Sequence, residues 1–189
     1  MSRIKNTLLI LLIIGLALLT AWGYDAAATA VLKKQYPRLH NAEVVNLAYE
    51  NSLPASVVYA AIRVRSGVDA SLLAEDGGIG LFRLTPEQYF SLEDADAAVD
   101  SGLLYEPKTN IRLGTRWLAA LYDKYGDWDA VYAAMAAGEE AVDEWLSKPG
   151  GSVALADDET AAYIRQMQKA VKRYIELYET EEDRLITYR

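Results

Sequence analysis

Residues 59–86, YAAIRVRSGVDASLLAEDGGIGLFRLTP, leave the backbone few options. An apolar helical pattern runs to Arg65-Ser66, a polar loop follows, and Gly77-Gly78 breaks the chain before a second apolar turn at 79–84. Thr85-Pro86-Glu87-Gln88 then opens a new helix: Thr85 can cap it, Pro86 suits the first turn, and Gln88 completes a capping box. On the first helix Val58, Ala61 or Ile62, and Arg65 fall at i, i+3/i+4 and i+7. Arg65 therefore lies on the apolar stripe, at the C-terminal end where the helix favours a cation. An arginine buried there, or at the edge of a cleft, needs an anionic partner or water.

The rest of the chain reads as helices with clear punctuation. Asn41 can cap a short helix bearing Val44, Val45, Leu47 and Ala48, and Leu53-Pro54 starts the next one. Residues 107–125 repeat Ile111, Gly114, Trp117/Leu118, Leu121/Tyr122 and Tyr125 at helical spacing. Gly126 ends that helix, and Asp127 can cap one running 128–137 that stops at Gly138. A short helix over 140–146 closes at Pro149-Gly150-Gly151, and Asp157 or Asp158 starts a long amphipathic helix to Tyr178. The tail 179–189 is charged and expected to fray. No alternating strand pattern, internal repeat or low-complexity block is present, so the expected fold class is all-α.

Ahead of this, Arg3 and Lys5 precede nineteen uncharged residues, 6–24. That length falls in the range of roughly 17–25 needed to cross a bilayer, and the positive flank keeps the N-terminus cytoplasmic. The length favours an uncleaved transmembrane anchor. A cleaved signal peptide is the alternative, because Ala21-Trp22-Gly23 approximates a small-residue cleavage site. The expected organisation is an anchor at 1–24, a stalk at 25–39, a domain at 40–178 and the tail at 179–189, with the domain outside the cytoplasmic membrane.

The net charge of −8, with no long basic run, argues against a nucleic-acid partner. With no cysteine, there are no disulfides and no thiol chemistry. The one histidine, His40, lies in a polar stretch with no evident partner and reads as solvated or capping. Glu93, Asp94, Asp96 and Asp100 form an acidic run that lacks the glycine and ligand spacing of a calcium loop, so no metal is expected.

The 62–86 stretch resembles the lytic transglycosylase domain of the lysozyme-like superfamily, of the soluble-lytic-transglycosylase type. That family reads I-R-x-E-S-G-F-D, then about eight residues, then G-A-x-G-L-M-Q-L-x-P. Here Ile62-Arg63-Val64-Arg65-Ser66-Gly67-Val68-Asp69 leads without a gap to Gly77-Gly78-Ile79-Gly80-Leu81-Phe82-Arg83-Leu84-Thr85-Pro86. Asn110-Ile111-Arg112-Leu113-Gly114 is similar to the family's N-I-R-L-G helix, Ala134-Met135-Ala136-Ala137-Gly138 to its A-Y-N-A-G, and Glu159 to Ile164 to its closing E-T-x-x-Y-V. Five motifs in order cover residues 40–178.

The resemblance implies a lysozyme-like all-α fold and cleavage of peptidoglycan between N-acetylmuramic acid and N-acetylglucosamine. One glutamate serves as acid and then as base, yielding a 1,6-anhydro sugar with no cofactor or metal. Arg65 stands where that glutamate belongs. Arginine stays protonated and has no accepting lone pair. Arg83 replaces the family's glutamine, Met135 its tyrosine and Ala136 its asparagine. The remaining cleft positions that the resemblance assigns are Ser66, Gly77, Gly80, Phe82, Gly138 and Tyr163. The expectation is an inactive homologue that holds a peptidoglycan strand or a cell-wall protein.

The alternative is an active enzyme with a displaced carboxylate: Glu75 first, Asp69 and Asp76 behind it. Two further expectations concern the cleft. Arg65 and Arg83 either pair with some of Glu75, Asp76, Glu139 and Glu140 or face water. Tyr59, Phe82, Tyr89 and Tyr132 are either sugar-stacking platforms or core residues, and their helical spacing suits the core.

Overall fold

The computed structural model describes residues 2–93 and 100–178, except for the side chains of 2–9 and 21. Arg3, Lys5, Asp94, Asp96 and the tail 179–189 therefore lie outside what is described here. The chain divides into two compact units, Met1–Pro37 and Arg38–Arg189.

The first unit holds one helix, α1 (Ser2–Gln35), which continues into the expected stalk at 25–39 as far as Gln35. Its segment Ile10–Gln35 is 26 residues long and contains an 18-residue window of mean hydropathy 1.8, none of it buried. At 1.5 Å per residue it spans about 39 Å. It is long and apolar enough to cross a membrane, a property that signal sequences share.

The second unit is helical, with only two isolated bridges, Leu73 to Ile79 and Ile79 to Leu84, among the described residues. Its helices are α2 (Asn41–Glu50), α3 (Ala55–Ser66), α4 (Pro86–Glu93), α5 (Pro107–Tyr125), α6 (Trp128–Ala137), α7 (Glu139–Ser147) and α8 (Asp158–Tyr178). α3 is central: every residue from Ser56 to Ile62 is buried, as expected of a helix apolar on all sides. α6 is similar, buried from Ala130 to Met135. Both pack against α8, whose buried residues Thr160, Ile164, Met167, Ala170 and Tyr174 fall three or four apart and so form one stripe. Tyr59 of α3 stacks on Tyr174 of α8 with ring centroids 5.3 Å apart.

The helix ends follow the local signals closely. Thr85 N–H donates to Gln88 Oε1 at 3.0 Å while Gln88 N–H donates to Thr85 Oγ1 at 3.3 Å, which is the reciprocal capping box. Asp127 accepts from Ala130 N–H at 2.9 Å, and Gly126 ends α5 at φ 64°. Two ends differ from the sequence reading. α7 starts at Glu139 rather than 140. The residue ahead of α2 is His40, exposed and at φ 53°, with no side-chain cap bond. Asn41 makes no cap because its side chain faces α3 instead, accepting from Tyr59 Oη at 2.8 Å and from Arg38.

The acidic run is divided among separate tasks. Glu93 pairs with Arg112 at 2.5 Å, and Asp100 accepts from Gly102 N–H at 2.8 Å.

Candidate functional site

The candidate site forms where the end of α3, the turn at 79–84 and the end of α6 meet. The turn is built by its own backbone: Ile79 and Leu84 exchange N–H···O bonds at 2.9 and 3.1 Å, Gly80 N–H donates to Leu72 O, and Arg83 N–H to Gly80 O. α5 fixes it from below. Asn110, completely buried, accepts from Phe82 N–H at 2.7 Å and donates to Ile79 O at 2.9 Å and Leu104 O at 2.8 Å. One turn further along α5, Gly114 leaves room for the Phe82 ring; a Cβ there would lie 2.0 Å from it. Gly80, at φ 72°, is equally constrained, since its Cβ would fall 2.5 Å from both Asn110 Nδ2 and Leu104 O. These contacts explain why N-I-R-L-G and G-x-G-L-F occur together: the asparagine holds the turn and the glycine receives its aromatic ring.

Arg65 closes on the other side of the same turn. Its Nε donates to Phe82 O, Nη2 donates to Arg83 O at 3.0 Å, and Nη1 reaches across to Met135 O on α6 at 2.9 Å. The guanidinium carbon sits 5.0 Å from the Trp117 ring centroid, in cation–π range. Among the described residues no carboxylate pairs with Arg65. The expected cluster of two arginines with four acids is thus corrected for Arg65: its charge is met by carbonyl dipoles and an aromatic face.

The cluster holds only for Arg83, which pairs with Asp76 at 2.9 Å at an exposed edge. Burial works to raise the Asp76 pKa. The Gly78 N–H bond and the Arg83 guanidinium outweigh it and hold the carboxyl below its ordinary value. Glu139 is taken instead by Lys124 at 2.8 Å, alongside Asp143 at 2.8 Å. Glu140 and Glu75 are both exposed.

Tyr163 of α8 completes the group. Its hydroxyl oxygen is buried and has no hydrogen-bond partner. Burial raises its pKa, and the charges of Arg65 and Arg83 act against that rise. Arg65 opposes the rise both by its charge and as a near hydrogen-bond donor, although the pair falls outside strict hydrogen-bond geometry. A buried, unpaired polar group costs about 1–3 kcal/mol.

The structure thus brings Arg65, Phe82, Arg83, Met135 and Tyr163 together. Ser66 turns back onto its own helix, donating to Ile62 O at 2.9 Å and accepting from Val68 N–H at 3.2 Å. Gly77 lies in the tight turn at 74–78, while Ala136 and Gly138 are exposed where α6 ends. Asp69 is occupied in a local turn, accepting from Ser71 N–H at 2.8 Å and Ser71 Oγ at 2.7 Å. Two residues in the left-handed region flank the site, Val68 at φ 74° and Arg83 at φ 51°. For a β-branched residue such as Val68 this conformation is strained.

The proposed aromatic platforms are core residues: Tyr59, Phe82, Tyr89 and Tyr132 are each at most 4% exposed. A separate groove of about 650 Å3 runs between α6 and α8, floored by Trp128, Tyr132, Val171 and Ile175, and includes none of the cleft residues. Sequence reading missed Trp117 as a partner of Arg65, because its spacing marks it only as a helix-face residue. The three acceptors of Arg65 are backbone atoms, which no side-chain pattern announces.

Comparison with known proteins agrees with this architecture. The soluble lytic murein transglycosylase of Salmonella typhimurium is 24% identical over 167 aligned residues, covering 77% of this chain and 25% of that protein. The 70-kDa soluble lytic transglycosylase of Escherichia coli superposes with a TM-score of 0.70 at 22% identity, covering 80% of this chain and 26% of that one. An inactive mutant of the lytic transglycosylase Slt from Pseudomonas aeruginosa gives 0.68 at 24%, covering 77% and 25%. The chain therefore spans about a quarter of the length of the relatives it matches. The Transglycosylase SLT domain family matches residues 44–154, more than half of the chain and the whole of the frame that carries Arg65, Asn110 and Met135. By that match, and by the shared all-α fold, the chain belongs to the Transglycosylase SLT domain family.

Proposed function

We propose that this chain is a membrane-anchored, extracytoplasmic member of the family that has lost glycan cleavage and keeps its cleft for binding a peptidoglycan strand or a cell-wall protein. The observation that carries the reading is the state of Arg65. At the position the resemblance gives to the acid–base glutamate stands a side chain that cannot release its proton, and it is tied to three carbonyls. General acid–base help is worth about 10²- to 10⁴-fold in rate. The Pseudomonas aeruginosa relative is described as inactive with a single glutamate exchanged for glutamine, so in that protein one such loss suffices. Glu75, the displaced candidate, is exposed to solvent and lies outside the group that Arg65 gathers.

The anchored reading rests on α1, and the division into anchor, stalk, domain and tail belongs to the same proposal. Full-length protein in detergent, incubated with purified peptidoglycan, tests the loss of cleavage. No anhydro-muropeptides are expected in the supernatant, and the protein is expected to sediment with the insoluble wall. Anhydro products that vanish in Glu75→Gln would establish the enzyme instead. Fractionation followed by N-terminal sequencing tests the anchor: membrane association with an intact N-terminus is expected, and a mature N-terminus after residue 20 would make α1 a leader.

A further inference from the structure

The cleft holds a cation that nothing described in the fold neutralises. A guanidinium has five N–H donors. Arg65 uses one each on Phe82 O, Arg83 O and Met135 O, which leaves two. Carbonyl dipoles and the Trp117 face stabilise the charge but do not cancel it. Against this stands the Tyr163 hydroxyl, buried, with Arg65 as a near donor to its oxygen and no acceptor for its own hydrogen. Its O–H is a donor with nothing to donate to. Arg83 adds positive potential from the rim, where its own carboxylate partner Asp76 is exposed rather than turned into the site.

Spare N–H groups, a spare O–H and an excess positive charge favour one class of ligand. A cation is repelled. A neutral sugar hydroxyl would occupy a donor or two and leave the charge as it was. A carboxylate accepts up to about four hydrogen bonds through two oxygens and cancels the charge at the same time.

We propose that the cleft of this chain is a carboxylate-binding site, formed by the free N–H groups of Arg65 and the Tyr163 hydroxyl, with Arg83 supplying attraction from the rim. The proposal rests on the reading of the cleft as a binding rather than a cutting site. It names the chemistry of what is held: the acid group of a ligand enters where an acid of the protein would otherwise stand. In wall material such a group comes from two sources, the lactyl arm of an N-acetylmuramic acid without its peptide, or the free end of a peptide stem.

Calorimetric titration of the full-length chain in neutral detergent tests it. The probes are N-acetylmuramic acid, its neutral methyl ester, and a short peptide ending in D-alanine with either a free or an amidated C-terminus. At least one acid is expected to bind about tenfold or more tightly than its neutral counterpart, the gain from a hydrogen bond to a charged group. The acid that does so identifies the source. Binding is expected to weaken with added salt, and Tyr163→Phe to lose about tenfold in affinity. Tyr163→Phe keeps the buried ring and is expected to stay folded with a cooperative melting transition, so a loss of binding cannot be laid to unfolding.

Equal binding of acid and neutral forms, no binding of either acid at millimolar concentration, or unchanged affinity in Tyr163→Phe would overturn the site. Sedimentation with whole peptidoglycan separates this from the broader reading. Wall binding with no preference for acids sinks the carboxylate site alone. Tyr163-dependent acid binding without wall binding keeps the site and sinks the wall-binding reading.

Discussion

Two side chains grip the same turn from opposite sides, and they do so differently. Asn110 rises from α5, is completely buried and is neutral; its three hydrogen bonds hold the Phe82 N–H, the Leu104 carbonyl and the Ile79 carbonyl, the last of which Leu84 N–H also reaches. Arg65 comes down from the end of α3, is half-buried and charged, and its three bonds also end on backbone, yet two donors and a whole charge are left over. The asparagine is consumed by architecture. The arginine does architectural work with part of itself and has the remainder available. A polar group whose capacity is fully used explains a fold, whereas one with capacity unused in a cleft points outward to a ligand.

The contrast is open to attack at several points, and the heaviest blow should fall on the asparagine. Asn110→Ala strands the buried Phe82 N–H and takes a donor from the Leu104 and Ile79 carbonyls, of which Ile79 keeps its bond from Leu84 N–H, and we expect a loss of about 3–4 kcal/mol by chemical denaturation. A loss under about 1 kcal/mol would mean the turn holds itself. Gly114→Ala drives a methyl into the Phe82 ring and should cost about 3 kcal/mol. Its diagnostic is a shift of Phe82 ring resonances, because overpacking here must displace that ring.

Arg65→Met removes the other grip from a half-buried position, so about 2 kcal/mol is expected. If its cost equals that of Asn110→Ala, the two sides are alike and the distinction fails. The pair Arg83–Asp76 should matter less still. The Asp76 pKa is depressed in the folded state, so its contribution is present above the ordinary aspartate range and is lost as pH falls through the folded value. A carboxyl NMR titration should show a midpoint below the usual aspartate value, moving back up in Arg83→Met. The smallest effect is expected for Tyr163→Phe, whose melting temperature should stay near the parent's, since the buried ring remains and the Arg65 contact lies outside strict hydrogen-bond geometry.

What the sequence disclosed and what it hid divide along a physical line. Signals that act within a few residues were legible. The Thr85–Gln88 capping box forms as read, Pro107 and Gly126 bound α5, and Asp127 caps α6. The all-α fold followed from such signals together with the family resemblance. Relations decided by long-range packing were not legible. The sequence offers Arg65 a carboxylate or water, because side chains are what a sequence displays; its actual acceptors are carbonyls, which every residue possesses. Glu139 looked available until the fold placed Lys124 beside it. Asn41 looked like a cap until Tyr59 claimed its side chain.

Arg65 also fastens together segments far apart in the chain: Phe82 and Arg83 in the turn, and Met135 on α6. Walls cross-tied by one planar group resist swinging apart as a hinge does. The Tyr163 hydroxyl behind them is closed to solvent, so a ligand reaches it only once those ties give way. Capture should then level off at high ligand concentration, the mark of a conformational gate.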